Sequence, residues 1–272
     1  GWHVYRTNQQ KAAVAHIRGL GGWVYYDFQM PKGQVTPVPN ARSWEPEWVR
    51  SSLGPDFFHS VVQVNMVYND DGKQRLDNRQ TSDEALQYIG RLQNVEVLLL
   101  TGQQATDENL HYLTGLLHLR RLFMWDTRVS DEGVQYLRGL THLEYIHCSN
   151  ALLTDKALHT FAEMPQLTGL SLQGNDFSDK GLGCLARLPK LETLWIGMGA
   201  TRITDQGLDS VQQFKKLKDL DVQGSFITIA GLKRLFDKNP QIRIVHELVG
   251  GGPSRKLVAN AEEIENRMFQ YP

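Results

Sequence analysis

Cysteine is scarce in this sequence, which has two in 272 residues. Two thiols are too few for a disulfide framework or a four-cysteine zinc site. Long apolar runs are missing too, since none approaches the ~18 residues of a membrane-spanning helix. Neither sign of charge is in excess, because 29 Lys and Arg face 30 Asp and Glu. Binding to nucleic acid or to an anionic membrane surface needs surplus cations, so the sequence predicts neither.

Catalytic and metal-binding signatures are also missing. The sequence has no H-E-x-x-H, C-x-x-C or G-x-S-x-G pattern, and no phosphate-binding loop of the G-x-x-x-x-G-K-S/T type. We therefore predict no catalytic residue, no cofactor and no metal ion, and expect that the chain is not an enzyme. Hydrophobic residues make up 41% of the chain, which is enough for a packed core.

What the sequence does contain is a repeat. A Ser or Thr followed by Asp recurs every 24 residues, with one interval of 26. The pairs are Ser82-Asp83, Thr106-Asp107, Ser130-Asp131, Thr154-Asp155, Ser178-Asp179 and Thr204-Asp205. A last copy begins at Thr228 and has lost its Asp. The constant spacing indicates stacked structural repeats, and the longer interval indicates an insertion at residues 197–200.

Each repeat joins a strand pattern to a helix pattern. Upstream of each pair lies an L-x-x-L-x-L sequence, such as Leu119, Leu122 and Met124, whose period of two predicts a strand with one buried face. Downstream, apolar residues such as Val134 and Leu137 fall at helical spacing. We expect the Ser or Thr to cap this helix, and the Asp to lie beside the positive end of its dipole.

The 24-residue unit resembles the leucine-rich repeat family, in the variant whose T-x-I/V-T/S-D sequence leads into an α-helix. The resemblance covers roughly residues 60–247. It implies an α/β solenoid of about seven repeats, with a curved parallel sheet on the concave face and helices on the convex face. The position that commonly holds a ladder-forming Asn or Cys is occupied by Gln103, Thr127, Ala151, Asn175 and Ser225. Because Ala151 has no polar side chain, we predict that any polar ladder is interrupted there.

Three segments are predicted: an N-terminal helix-strand-helix cap at 1–60, the solenoid at 61–247, and a linker with a possible capping helix at 248–272. In the cap, Ala13, Val14, Ile17 and Leu20 share one face of a helix at 8–20, which a Gly-Gly pair ends. The further elements expected are a strand at 23–28, a loop at 30–40, a helix at 44–53, a strand at 61–67, a polar insertion at 69–79, a last strand at 242–245 and a polar helix at 258–269.

The cap resembles that of a group of bacterial, membrane-tethered leucine-rich repeat proteins. The residues that support this resemblance are Gly21, Gly22, Trp23, Val24, Tyr25, Tyr26, Asp27, Trp48, Leu53, Gly54, Phe57 and Phe58. It implies that Gly1 follows a removed membrane anchor, and that the domain is tethered to a membrane. The alternative is a plain cap on a free cytoplasmic solenoid.

Bulky residues gather where strand alternation places side chains on the concave face. They are Leu99, Arg121, Phe123, Trp125, Tyr145, His147 and, two repeats further, Trp195. Exposed aromatic and arginine residues dominate binding hot spots, and contiguous apolar patches mark interaction sites. We predict that these seven residues bind a protein partner, with a cell-envelope polymer as the second choice. The alternative is that the aromatic residues only stabilise the sheet.

Two other functions stay open. An arginine on a loop, for which Arg202 is the candidate, would suit a GTPase activator, and a ubiquitin-ligase-like adaptor uses related repeats. A rigid array would also suit a structural spacer in the cell envelope. The alternation directs Cys148 into the core, away from His147, and Cys184 lies among helical leucines. Both thiols are therefore predicted to be small core residues.

Overall fold

The computed structural model describes residues 2–30, 36–38, 41–67, 83–102, 105–198, 201–246 and 257–259. The predicted polar insertion at 69–79 lies outside these residues, as do most of the predicted loop at 30–40 and the end of the insertion at 197–200.

The described strands form one sheet in which spatial order follows chain order. They are β1 (Trp23–Tyr26), β2 (Val61–Asn65), β3 (Val97–Thr101), β4 (Arg121–Trp125), β5 (Tyr145–Ser149), β6 (Gly169–Ser171), β7 (Thr193–Trp195), β8 (Asp219–Asp221), β9 (Arg243–His246) and β10 (Leu257–Ala259). Strands β2 to β9 are parallel, whereas β1 and β10 pair antiparallel at the two ends. The helix predicted at 258–269 is therefore wrong at its start, because β10 instead satisfies the backbone of the open edge of β9.

One α-helix precedes β1, and the others lie between consecutive strands. They are α1 (Trp2–Gly19), α2 (Glu47–Leu53), α3 (Asp83–Ile89), α4 (Asp155–Ala162), α5 (Asp179–Cys184), α6 (Asp205–Val211) and α7 (Ile229–Lys238). The described 3-10 helices occupy Asp27–Gln29, Pro55–Phe57, Leu110–Gly115, Gly133–Gly139 and Leu185–Arg187. One strand and one helical segment per repeat, stacked in sequence, confirm the predicted α/β leucine-rich repeat solenoid.

The expectation of an α-helix in every repeat is wrong for two of them, where Leu110–Gly115 and Gly133–Gly139 are 3-10 helices. In the first, Thr106 N donates to the Asn109 side chain at 2.9 Å, so the turn before the helix is held by a side chain rather than by an extended helical hydrogen-bond pattern. The second begins and ends with glycine, which has a low helix propensity.

The core is the stack of strand leucines that the alternation predicts. One buried column contains Leu98, Leu122, Ile146, Leu170, Leu194 and Leu220, all fully inaccessible to solvent. Neighbouring members of this column are paired directly across the parallel strands. Because the column is aligned, each repeat covers the apolar face of the next. A single repeat on its own would leave that face exposed to solvent.

The N-terminal cap covers the first repeat. Ala13, Val14 and Ile17 of α1 are buried as predicted, although α1 begins at Trp2 rather than at residue 8. Gly21, with φ of 82°, ends the helix.

The second helix of the cap starts at Glu47 instead of residue 44. Proline is tolerated only at the start of a helix, and Pro46 is the residue that precedes the first turn. The predicted strands at 23–28 and 61–67 are shorter, ending at Tyr26 and Asn65. Of the described helices, none has both the length and the hydropathy to cross a membrane.

The recurring Asp residues join neighbouring repeats, which goes beyond the local role predicted for them. Asp155 accepts hydrogen bonds from Ser178 N at 2.9 Å and from Ser178 Oγ at 2.5 Å, one repeat later. The same pair of bonds links Asp107 to Ser130, Asp131 to Thr154, Asp179 to Thr204, and Asp205 to Thr228. The predicted capping occurs at Thr204, whose Oγ1 accepts from Gln206 N at 3.2 Å, but it is wrong for α5, where the Ser178 side chain makes no cap hydrogen bond. We call this set the aspartate ladder.

Candidate interaction surface

The sheet face opposite the helices displays the predicted binding residues. Strand pairing aligns Leu99, Phe123 and His147 in one column, and Arg121 and Tyr145 in the next. Each of these side chains is partly exposed, while the leucines between them are buried. The position of a side chain on this face therefore follows directly from strand alternation.

Four rings on β4 and β5 form a continuous aromatic cluster, consisting of Phe123, Trp125, Tyr145 and His147. The Phe123 ring centre lies 5.5 Å from that of Tyr145 and 6.1 Å from that of His147, and Trp125 lies 5.6 Å from His147. These separations are typical of interacting rings. The cluster is held on a rigid backbone, and only part of each ring is available to a ligand.

Leu99 and Arg121 extend the aromatic cluster, but Trp195 is separate from it. Leu99 is directly paired with Phe123 on the neighbouring strand. Trp195 lies on β7, and the inward residues of the intervening strand β6, Gly169 and Ser171, carry no ring. A Cβ at Gly169 would collide with the Tyr145 ring, which leans over that strand. Six of the seven predicted residues are thus contiguous.

A polar network of residues that the sequence did not predict as a site fills the gap before Trp195. Gln173 Oε1 accepts from Ser171 Oγ at 2.9 Å and from Ser149 Oγ at 3.2 Å. Its Nε2 donates to Asp221 Oδ2 at 3.3 Å, two repeats further along the sheet. That reach is possible because the equivalent residue between them is Gly197, which has no side chain. In the sequence, this contact is indicated only by Gly197, a glycine at the repeat position that Gln173 occupies one repeat earlier.

Burial changes the ionisation of the groups in the cluster. Burial lowers the pKa of His147 below its ordinary value of 6.5, although Asp126 acts in the opposite direction. Burial also raises the pKa of Tyr145. Both side chains are consequently neutral at pH 7. They offer rings and hydrogen-bonding atoms to a partner, and Arg121 supplies a positive charge beside them.

The two cysteines differ in their surroundings. Cys148 is fully buried behind His147, as predicted, and burial raises its pKa to about 12. Cys184 is partly exposed at the end of α5, so the prediction that it is a core residue is wrong. The equivalent residue one repeat earlier, Thr160, is buried, so the exposure of Cys184 is a property of this repeat.

Arg202, the candidate residue for a GTPase activator, forms an ion pair with an acidic side chain of the preceding repeat. Its Nη1 lies 3.0 Å from Asp176 Oδ1, and both side chains are largely exposed. Arg202 and Ser178 form an isolated bridge between neighbouring repeats. This residue therefore belongs to the repeat surface rather than to a free loop.

No protein-family model matches the chain, and no curated protein matches it either. Among solved structures, the chain is similar to an internalin C2 from Listeria monocytogenes, with 23% sequence identity and a TM-score of 0.38. The match covers 59% of this chain and 55% of that one, so it spans about half the length of the internalin. The fold assignment rests on the repeats and sheet order of this chain itself.

Two carboxylates flank a buried histidine in the N-terminal cap. His59 Nδ1 lies 2.7 Å from Asp27 Oδ1, and Nε2 lies 2.9 Å from Glu45 Oε2. The Glu45 side chain is buried with the ring, whereas that of Asp27 is about half exposed. Burial acts to raise the pKa of Glu45, but hydrogen bonds from Ser43 and His59 outweigh it and lower the pKa to about 2.

We expect the stability of the cap to fall as the pH decreases from about 4.5 towards about 2. A carboxylate with a lowered pKa stabilises the folded state above its unfolded pKa, and this contribution is lost as the folded group takes up a proton. Urea unfolding at several acidic pH values measures the effect. Glu45→Gln should be the less stable protein near neutral pH and should lose less stability on acidification. An equal loss in both proteins would contradict this account.

Proposed function

We propose that this chain is a non-enzymatic protein-interaction module whose partner binds the aromatic cluster, with Leu99, Arg121 and Trp195 extending the contact area. The observation that supports the proposal is the contiguity of Phe123, Trp125, Tyr145 and His147 on one rigid sheet face. Aromatic side chains bury a large area on binding and lose little conformational freedom. Rings in a continuous patch are also the residues that dominate measured interface energies.

The chemistry of the same face favours recognition over catalysis. The thiol nearest to the cluster, Cys148, points to the opposite side of the sheet from His147. A nucleophile and its base must lie within hydrogen-bonding distance, which strand alternation prevents for these neighbours. The regulatory alternative through Arg202 has less support, because its guanidinium group is paired with Asp176.

The proposal is tested by removing rings from the cluster. A partner is first isolated by cross-linking to the immobilised protein, and its affinity is then measured for Phe123→Ala, Trp125→Ala and Trp195→Ala. We expect Phe123→Ala and Trp125→Ala each to weaken binding by at least tenfold, since a hot-spot ring contributes about 2 kcal/mol or more. Trp195→Ala should weaken binding less, because β6 separates Trp195 from the cluster.

A matched control is available on the convex face. Tyr136 is 43% exposed and lies on the 3-10 helix Gly133–Gly139, far from the inner face of the sheet. Tyr136→Ala should leave affinity unchanged, and circular dichroism should show all variants folded. Unchanged binding by the Phe123 and Trp125 variants would overturn the proposal. Stimulation of a GTPase that disappears in Arg202→Ala would instead support the regulatory alternative.

A further inference from the structure

A thiol and an imidazole meet on the convex side of the solenoid. Cys184 Sγ lies 3.4 Å from His159 Nε2, within hydrogen-bonding distance for sulfur. The two residues come from α4 and α5 of consecutive repeats, His159 is exposed, and Cys184 is partly exposed. The same Sγ lies 3.5 Å from the carbonyl oxygen of Lys180. This pair is on the opposite side of the sheet from the aromatic cluster and has no part in the proposed function.

The repeat itself sets the position of this pair. One repeat earlier, Gln135 Nε2 donates to Thr160 Oγ1 at 2.6 Å. Gln135 and His159 are equivalent residues, as are Thr160 and Cys184, so the same diagonal contact occurs twice. In the next repeat the position of His159 is taken by Gly183, which has no side chain to continue the contact. The approach of His159 to Cys184 therefore follows a diagonal contact that two consecutive pairs of repeats share.

We propose that Cys184 is a modification site that forms mixed disulfides with small disulfide compounds, with His159 accepting the thiol proton. In this step Cys184 Sγ attacks one sulfur of the disulfide while its proton passes to His159 Nε2. A new S–S bond forms, the original S–S bond breaks, and the departing sulfur leaves as a thiolate, while the imidazolium passes its proton to that thiolate or to water. The products are one mixed disulfide and one released thiol or thiolate, and no further oxidant or reductant is needed.

The second cysteine serves as an internal reference. Cys148 is fully buried, and burial raises its pKa to about 12, so it lacks both access and thiolate at neutral pH. Selective reaction of one of two thiols is thus the first consequence of the proposal. The second is that the reaction depends on the neighbouring imidazole and not only on exposure.

The experiment uses the folded, full chain and the disulfide 5,5′-dithiobis(2-nitrobenzoate), whose reaction releases a coloured thiolate. We expect one fast equivalent in the native protein, its loss in Cys184→Ser, and a second equivalent only after denaturation. His159→Gln should slow the fast phase by about tenfold or more, since a positioned base contributes ~10²-fold or more in general acid–base catalysis. The control His118→Gln removes another exposed histidine and should leave the rate unchanged.

The pH dependence of the rate separates a proton acceptor from a residue that only shapes the surface. In His159→Gln the rate should fall about tenfold per pH unit on the acid side, because only the spontaneously formed thiolate reacts. In the native protein the fall should be shallower near neutral pH. Equal rates and equal pH profiles for the native protein and His159→Gln would overturn the proposal. Equal reactivity of Cys148 and Cys184 in the folded protein would also overturn it.

Discussion

Asn175→Ala is expected to destabilise the solenoid by about 3–5 kcal/mol, because several backbone groups, three of them in buried hydrogen bonds, lose their partner. Asn175 is only 2% exposed. Its Nδ2 donates to Cys148 O at 2.9 Å and to Leu172 O at 2.8 Å. Its Oδ1 accepts from Ala151 N and Leu153 N, both at 3.2 Å. Urea unfolding followed by tryptophan fluorescence measures the loss.

A matched control sits two repeats further along the same column. Ser225 is also buried, but its hydroxyl makes a single hydrogen bond to Val222 O at 2.5 Å. Ser225→Ala should therefore cost about 1 kcal/mol. If Asn175→Ala were no more destabilising than Ser225→Ala, the assignment of Asn175 as the link between two repeats would be wrong.

The role of Asn175 also shows how a local sequence rule can mislead. The absence of a polar side chain at Ala151 predicted an interrupted ladder. The Ala151 side chain indeed makes no such bond, yet its backbone N–H donates to Asn175 of the next repeat. The Asn175 side-chain amide thus forms hydrogen bonds to the backbone of the turns in two repeats. A comparison of the residues at one repeat position cannot show a bond that crosses from one repeat to the next.

The fold was predictable because its main determinant is periodic. Buried Leu122 and Leu194 and their equivalents recur at constant spacing, and hydrophobic burial is large enough to outweigh local propensities. The choice between α-helix and 3-10 helix was not predictable in the same way. It differs between repeats that share the same leucine pattern, such as Gly133–Gly139 and Asp155–Ala162.

The side chains on the inner face were predictable only as far as strand alternation determines them. Phe123 and His147 face the same side because they occupy equivalent strand positions. The reach of Gln173 to Asp221 depends on Gly197, since a residue with a side chain there would stand between them. The contact of His159 with Cys184 is likewise diagonal, joining positions that are not equivalent in the repeat. Such contacts follow from three-dimensional stacking, and they join repeat positions that the strand and helix patterns do not relate to each other.

The aspartate ladder did leave a signal in the sequence, three residues after the Ser or Thr that binds the Asp of the preceding repeat. Gly133, Gly181, Gly207 and Gly231 occupy that position, and a Cβ built there would press against the Asp Oδ1 of the preceding repeat. In the remaining described repeat of this group the residue is Ala157, whose N–H donates to Asp131 Oδ1 at 3.1 Å. A small residue at this position is thus the counterpart of the carboxylate in the previous repeat.

The second substitution with a large expected effect removes the carboxylate of Asp131, one member of the aspartate ladder. Asp131 is 7% exposed and accepts from Thr154 N at 2.8 Å, Thr154 Oγ1 at 2.6 Å and Ala157 N at 3.1 Å. Asp131→Ala should reduce the free energy of unfolding by about 2–4 kcal/mol, since three donors lose a charged acceptor. Asp131→Asn, which keeps one acceptor oxygen, should cause a smaller loss. Glu132→Ala, at the adjacent exposed residue, should change stability by less than about 0.5 kcal/mol.

The position of Asp131 in the middle of the array makes a further outcome measurable. Stability in a solenoid is approximately a sum of repeat terms and of interfaces between nearest neighbours, so a weakened central interface lowers the coupling between the two halves. Asp131→Ala should therefore broaden the urea transition as well as shift it, and unfolding followed by fluorescence and by circular dichroism should no longer coincide. A transition that shifts with unchanged steepness in both signals would show that the leucine stack alone couples the repeats, and that the aspartate ladder contributes only locally.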